Sequence, residues 1–100
     1  LKDVLNYPNP LADQTTFRFD HNRKGQDLLV VIQIFDAQGT LRKRLTHTVT
    51  QSSGIVDIPW DGLDESGRRF GQGVYLYQIE VKSQVDGQKG VVQNRLVVIN

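Results

Sequence analysis

The chain has 100 residues, a net charge of +1 and no cysteine. Its near-neutral charge argues against a nucleic-acid binder, which shows a basic patch and a high isoelectric point. Without cysteine, this stretch has no disulfide, no thiolate metal site and no cysteine nucleophile.

Such a length suits one domain with one modest core. No apolar run approaches the ~20 residues needed to span a bilayer. The chain opens at Leu1 and enters Asn6-Tyr7-Pro8-Asn9-Pro10 at once, so residues 1–100 read as a single domain cut from a larger protein. Val4 to Tyr7 reads as a short edge strand ending in a proline turn, because each proline fixes its own φ and extends the residue before it. Thr15 to Phe19 is β-branched and aromatic with period two, which puts Phe17 and Phe19 inward and Arg18 outward. His21 to Asp27 is a polar turn. Leu28 to Phe35, apolar at nearly every position, suits a central strand covered on both sides or at its ends.

Asp36-Ala37-Gln38-Gly39 is a hairpin-type turn with Gly39 free to take positive φ. Thr40 to Thr50 alternates loosely, with Leu41, Leu45 and Val49 inward and Arg42, Lys43 and Arg44 as a basic bulge in the pattern. Gln51 to Gly54 is a loop. Ile55 to Trp60 is a short strand whose Pro59 places it at an edge or ends it there. Asp61 to Gly73 is a glycine-punctuated loop. Val74 to Lys82 alternates cleanly, with Tyr75, Tyr77, Ile79 and Val81 on one face and Val74, Leu76, Gln78 and Glu80 on the other. Asp86-Gly87 turns the chain into a last strand, Val91 to Ile99. No segment carries a helical period. About seven short strands with turn signals every 8–12 residues predict an all-β, immunoglobulin-like antiparallel sandwich.

Chemistry-bearing clusters are few. Asp61, Asp64 and Glu65 invite a calcium reading, but their spacing is not that of an EF-hand loop, and Asp side chains in such a turn bond to local backbone. His21 and His47 sit in no motif with a nucleophile or at ligand spacing. Ser52-Ser53-Gly54 lacks the G-x-S-x-G elbow. Gly67, Gly71 and Gly73 precede no helix that would hold a phosphate. Arg42-Lys43-Arg44 reads as a solvated, edge-protecting strand face, with an anionic contact as the alternative. Trp60, Tyr75 and Tyr77 divide between core packing and a sugar-stacking platform; Trp60 falls to the core. No nucleophile–base pair can be assembled, so the domain is expected to be non-catalytic and to need no cofactor.

Five collinear blocks carry a resemblance. They are Asn6-Tyr7-Pro8-Asn9-Pro10; Thr16-Phe17-Arg18-Phe19; Ile32-Gln33-Ile34-Phe35-Asp36 with Gly39; Trp60-Asp61-Gly62 with Asp64 and Gly67; and Gly73-Val74-Tyr75-Leu76-Tyr77. Together they resemble the C-terminal domains of the type IX secretion system of Bacteroidetes, over essentially the whole chain. The second half also resembles the flagellar hook-capping immunoglobulin-like repeat. Within the first group the likeness is greatest to the C-terminal domain of the gingipain-like sortase. That rests on Asp13-Gln14-Thr15-Thr16-Phe17-Arg18-Phe19 after the Asn-Tyr-Pro-Asn-Pro block, on Asp57-Ile58-Pro59-Trp60-Asp61-Gly62, and on the ending Arg95-Leu96-Val97-Val98-Ile99-Asn100. Arg95 precedes the final apolar run and no basic residue follows it, a departure from cargo domains that favours the retained, sortase-type domain.

The resemblance implies a sorting or anchoring module of a secreted or surface peptidase. Its partners would be an outer-membrane β-barrel shuttle or translocon protein and the upstream peptidase domain. It would pass through the periplasm to the outer-membrane surface or medium. Edge strands and end loops of a sandwich suit such docking, and the terminal strand is the best candidate, by strand addition or by peeling away. With Leu96 and Val98 inward, period two puts Val97 and Ile99 on the opposite face. Arg95, Val97 and Ile99 are the candidate partner-binding residues. The alternatives are a glycan-binding accessory module and a structural spacer.

Overall fold

The computed structural model describes residues 2–22, 24–50 and 53–99, the side chains of Lys2 and Asp3 excepted. Readings that touch Leu1, Arg23, Gln51, Ser52 and Asn100 lie outside the described residues. Seven strands form: β1 (Lys2–Tyr7), β2 (Thr15–Asp20), β3 (Leu28–Phe35), β4 (Leu41–Val49), β5 (Ile55–Trp60), β6 (Gly73–Ser83) and β7 (Lys89–Val98). They make a three-stranded sheet, β1-β2-β5, and a four-stranded sheet, β4-β3-β6-β7. Every ladder is antiparallel. The protein is an all-β, immunoglobulin-like sandwich, as its alternation predicts. No helix among the described residues is long and apolar enough to cross a membrane.

Period two builds the core. Phe17 and Phe19 of β2 and Val56, Ile58 and Trp60 of β5 are buried, as are Leu28, Val30, Ile32 and Ile34 of β3. They interleave with Tyr75, Tyr77, Ile79 and Val81 of β6 and Leu96 and Val98 of β7. A chain of rings runs through this layer. Tyr77 meets Phe17 edge-on at 4.9 Å, Phe17 stacks on Trp60 at 6.1 Å, and Phe70 contacts both Trp60 at 4.8 Å and Tyr75 at 5.0 Å. Each such pair adds roughly 0.5–1.5 kcal/mol beyond area burial. The Trp60 indole N–H donates to the Leu63 carbonyl at 3.1 Å, so the ring carries no unsatisfied donor inward.

Two expectations are corrected. β3 is central, but only one of its faces is fully buried; Leu29, Val31 and Phe35 are half-buried on the other. Leu41 does not point inward. The β3–β4 register shifts between Ile34 and Phe35, so that Phe35 pairs with Leu41 while Ile34 pairs with Lys43. The extra residue, Arg42, turns Leu41 onto the outer face, where it is exposed. Leu45 and Val49 do pack against the core, partly buried.

The loops contribute core residues of their own. After two cis X-Pro bonds, Tyr7-Pro8 and Asn9-Pro10, the chain drops Leu11 into the core, 1% exposed. Leu11 bridges Val98 in parallel: its N–H donates to the Val97 carbonyl at 2.9 Å and its carbonyl accepts from the Ile99 N–H at 2.8 Å. Asn9 extends this clasp, donating to the Arg95 carbonyl at 3.2 Å and accepting from the Val97 N–H at 3.0 Å. The loop between β5 and β6 folds back through a bond from the Phe70 N–H to the Gly62 carbonyl, and buries the Phe70 ring.

Tyr77 is fully buried, and its hydroxyl finds no partner of hydrogen-bonding geometry. Burial pushes its pKa up to about 12, an effect that the nearby Asn94 side chain partly offsets. The Asn94 amide is itself engaged, by the Val4 carbonyl through its NH2 and by the Arg95 N–H through its oxygen. A buried donor left unmade costs about 1–3 kcal/mol. Replacing Tyr77 by Phe should therefore raise unfolding free energy by about 1 kcal/mol in urea denaturation. A loss of stability would show that Asn94 satisfies the hydroxyl after all.

Candidate docking surface

Leu96 and Val98 face the core, at 0% and 2% exposure, so β7 completes the sandwich. Val97 and Arg95 lie on the outer face of the four-stranded sheet, and Ile99 is exposed just past the strand's end. Strand addition through this part of β7 is contradicted. The outward backbone groups at Arg95, Val97 and Ile99 are the ones that Asn9 and Leu11 occupy. What these residues offer a partner is side chains on a sheet face.

That face has a distinct character at one end. Leu41 of β4 pairs with Phe35 of β3, Phe35 with Leu76 of β6, and Leu76 with Arg95 of β7. One step along, Val74 pairs with Val97. Leu41, Val74 and Leu76 are each about half exposed, at 45%, 51% and 52%. Side chains facing one side of directly paired residues touch or nearly touch, so these positions form a continuous apolar strip across all four strands. A shallow pocket of about 170 Å³ opens beside it, between Phe35, the Asp36–Gly39 turn, Leu76 and Gln93. Arg95 closes the strip, and among the described residues its guanidinium has no ion-pair partner. An apolar strip with one free cation at its rim suits a protein partner of complementary shape with an acidic margin. Phe35, Leu41, Val74 and Leu76 were not singled out by sequence reasoning as contact residues. The signal was the outward set of β6, which opens Val74, Leu76 where a solvated face carries polar residues.

The other candidate clusters are occupied within the fold. In the 61–73 loop, Asp61 accepts the Leu63 N–H, and one Asp64 oxygen accepts the Ser66 N–H, the Ser66 hydroxyl and the Arg68 N–H. The Arg68 backbone bond, foremost, holds the Asp64 carboxyl below its ordinary pKa. Glu65 leaves the loop altogether: it accepts the Arg44 N–H at 3.2 Å and lies 3.8 Å from the Lys43 ammonium. Asp36 plays the Asp64 role in the β3–β4 turn, accepting the Gln38 and Thr40 N–H groups, and is likewise lowered, chiefly through Thr40. His21 is half-buried against Phe19, where burial lowers its pKa, and His47 is exposed on β4. The sugar-platform reading is overturned: Trp60, Tyr75 and Tyr77 all point into the core, and the Tyr75 hydroxyl donates to the Gly71 carbonyl at 2.8 Å. On the three-stranded sheet, Arg18 grips Asp57 across β2 and β5 with two bonds of 2.7 and 2.8 Å and lies over the Tyr7 ring. That hydrogen-bonded pairing raises the Arg18 pKa and lowers that of Asp57.

Comparison with known proteins agrees with both resemblances expected from the sequence. The model of the FlgD Ig-like domain matches residues 9–87. Dimeric latent PorU from Porphyromonas gingivalis contains a region 34% identical to 96% of this chain, with a TM-score of 0.81, although the chain spans only 9% of that structure's length. FlgD from Xanthomonas campestris, described for hook capping in flagellar assembly, is 22% identical over 95% of the chain and 64% of its own, with a TM-score of 0.60. FlgD from P. aeruginosa is 26% identical over 88% of the chain and 69% of its own, with a TM-score of 0.53. No curated protein matches the sequence.

Proposed function

The chain belongs to the FlgD Ig-like domain family, and we propose that it is the non-catalytic sorting or anchoring module of a type IX secreted or surface peptidase. The observation that carries this reading is the likeness to a region of PorU over almost the whole chain. The strip from Leu41 to Arg95 is the surface through which the module engages its partner, an outer-membrane β-barrel shuttle or translocon protein. Arg95 and Val97 contribute from β7, with Ile99 beyond them. The parent passes through the periplasm and is displayed on the outer membrane or released.

Removing β7 would be a poor test, because it would strip Leu96 and Val98 from the core. The sound test substitutes the outer face of the full-length parent: Leu76→Asp with Val97→Asp, and separately Arg95→Glu. Urea denaturation first verifies folding, since Leu76 and Arg95 are exposed but Val97 is half-buried and its substitution carries a stability cost of its own. The expected result is a folded parent that accumulates in the periplasm and is lost from the cell surface by protease accessibility. Normal surface display of the folded double variant would refute the assigned surface.

A further inference from the structure

The four strand edges of this sandwich are not equally guarded. β1 carries an irregular register between Lys2 and Leu5, and its Val4 carbonyl is taken by Asn94. β5 carries Pro59, which has no N–H to offer. The end of β7 is clasped by Asn9 and Leu11. On β4 the protection stops early. A bulge occupies Arg42, and the Glu65 carboxylate accepts the Arg44 N–H. That bond shows that Arg44 turns its backbone away from β3. Alternation then turns Thr46 and Thr48 the same way. Their N–H and C=O groups have no partner among the described residues.

We propose that the β4 edge from Arg44 to Thr48 accepts an extended, acidic segment of another polypeptide as an added strand. Three observations fix the occupant. Paired N–H and C=O groups repeating every second residue are matched only by another extended backbone. The sheets are unequal, three strands against four, and β4 packs chiefly on β3. Leu45 therefore overhangs a groove of about 340 Å³ that it shares with Lys43, Gln14, Pro59, Trp60 and Asp61. An added strand would point alternate side chains toward that groove, where Leu45, Pro59 and Trp60 offer apolar contact beside the polar Gln14, Lys43 and Asp61. The opposite side chains would lie beside Arg44, which has no ion pair among the described residues, and near Arg42, whose carboxylate partner sits at 3.4 Å. Acidic residues fit there. Glu65 already places a carboxylate at this edge and so marks where the incoming strand ends. The surface is separate from the apolar strip, so this inference does not depend on the secretion role.

The probe is a short capped peptide of alternating valine and glutamate, added to the 100-residue chain while amide hydrogen exchange is followed residue by residue. The expected result is slowing of exchange at Thr46 and Thr48 by about tenfold or more. The same peptide N-methylated at alternate amides should give none, and a valine–lysine peptide should give far less. Arg44→Glu leaves the backbone edge intact and should invert the preference toward the lysine peptide. Thr46→Pro removes one outward N–H and should abolish protection. Unchanged exchange at Thr46 and Thr48 with millimolar peptide would overturn the proposal. Equal protection by the lysine peptide would overturn the acidic occupant, and protection that rises with protein concentration alone would replace it with a second copy of the chain.

Discussion

Phe17→Ala should be the most damaging single substitution in this domain, costing about 3–5 kcal/mol. Phe17 is fully buried and is the ring through which the two sheets meet: it stacks on Trp60 within its own sheet and meets Tyr77 of the other edge-on. Its loss leaves a cavity between large rings that cannot close by rotamer changes, so the transfer and cavity terms add. For a domain whose whole stability is about 5–15 kcal/mol, that is a fifth or more. Thermal unfolding of the 100-residue chain should move down by upwards of roughly 15 °C. Phe35→Ala is the control, because Phe35 is only half-buried on the outer face. It should cost no more than about 1–2 kcal/mol, in line with the partial burial of its side chain. Equal losses at the two positions would show that the core is not organised around Phe17.

Gly62→Ala should rank next, at about 3 kcal/mol. Gly62 has φ +76°, where a side chain costs about 1–2 kcal/mol. A Cβ would also stand 2.6 Å from the Asp13 backbone carbonyl oxygen and 3.6 Å from Leu11. Backbone cannot swing aside as a side-chain tip can, and crowding of that kind costs a further 1–3 kcal/mol or so. The Asp13 stretch is held in place as well: Arg69 donates to the Ala12 carbonyl at 3.1 Å and pairs with Asp13 at 3.1 Å. Gly67→Ala separates the two causes. Its φ is +83°, yet nothing lies within 4 Å of the added Cβ. It should cost only the conformational part, about 1–2 kcal/mol. If urea midpoints show the two variants alike, the close approach of the 61–73 loop to residues 11–13 is not what Gly62 serves.

The strands and their inner faces were legible because alternation is a local signal. Phe17/Phe19, Tyr75/Tyr77/Ile79/Val81 and Leu96/Val98 each declare a face within a few residues. Leu41 defeated the same reasoning because the residue that displaces it, Arg42, is extra only relative to β3; a bulge is a property of two strands, and one strand's pattern does not contain it. Leu11 and Phe70 were missed for a related reason. Each is a lone large apolar residue among polar, proline or glycine neighbours, with no period to mark it. Only the fold shows that one plugs the sandwich beside Val98 and the other covers Trp60. The candidate surface was half legible. The outward placement of Val97 followed from Leu96 and Val98, while the row joining Arg95 to Leu76, Phe35 and Leu41 depends on register across three ladders.

The parallel bridge between Leu11 and Val98 has a mechanical consequence. Residues 9–11 and 97–99 run side by side in the same direction, joined by Leu11 N–H to Val97, Ile99 N–H to Leu11, and the two Asn9 bonds. Tension transmitted from the first strand to the last draws these segments in opposite directions along a common line. The bonds are then sheared together instead of opened one at a time, as a hairpin would open. A module that links a folded protein to something fixed is loaded in that geometry, and Asn9→Ala would lower the force at which it yields more than it lowers equilibrium stability.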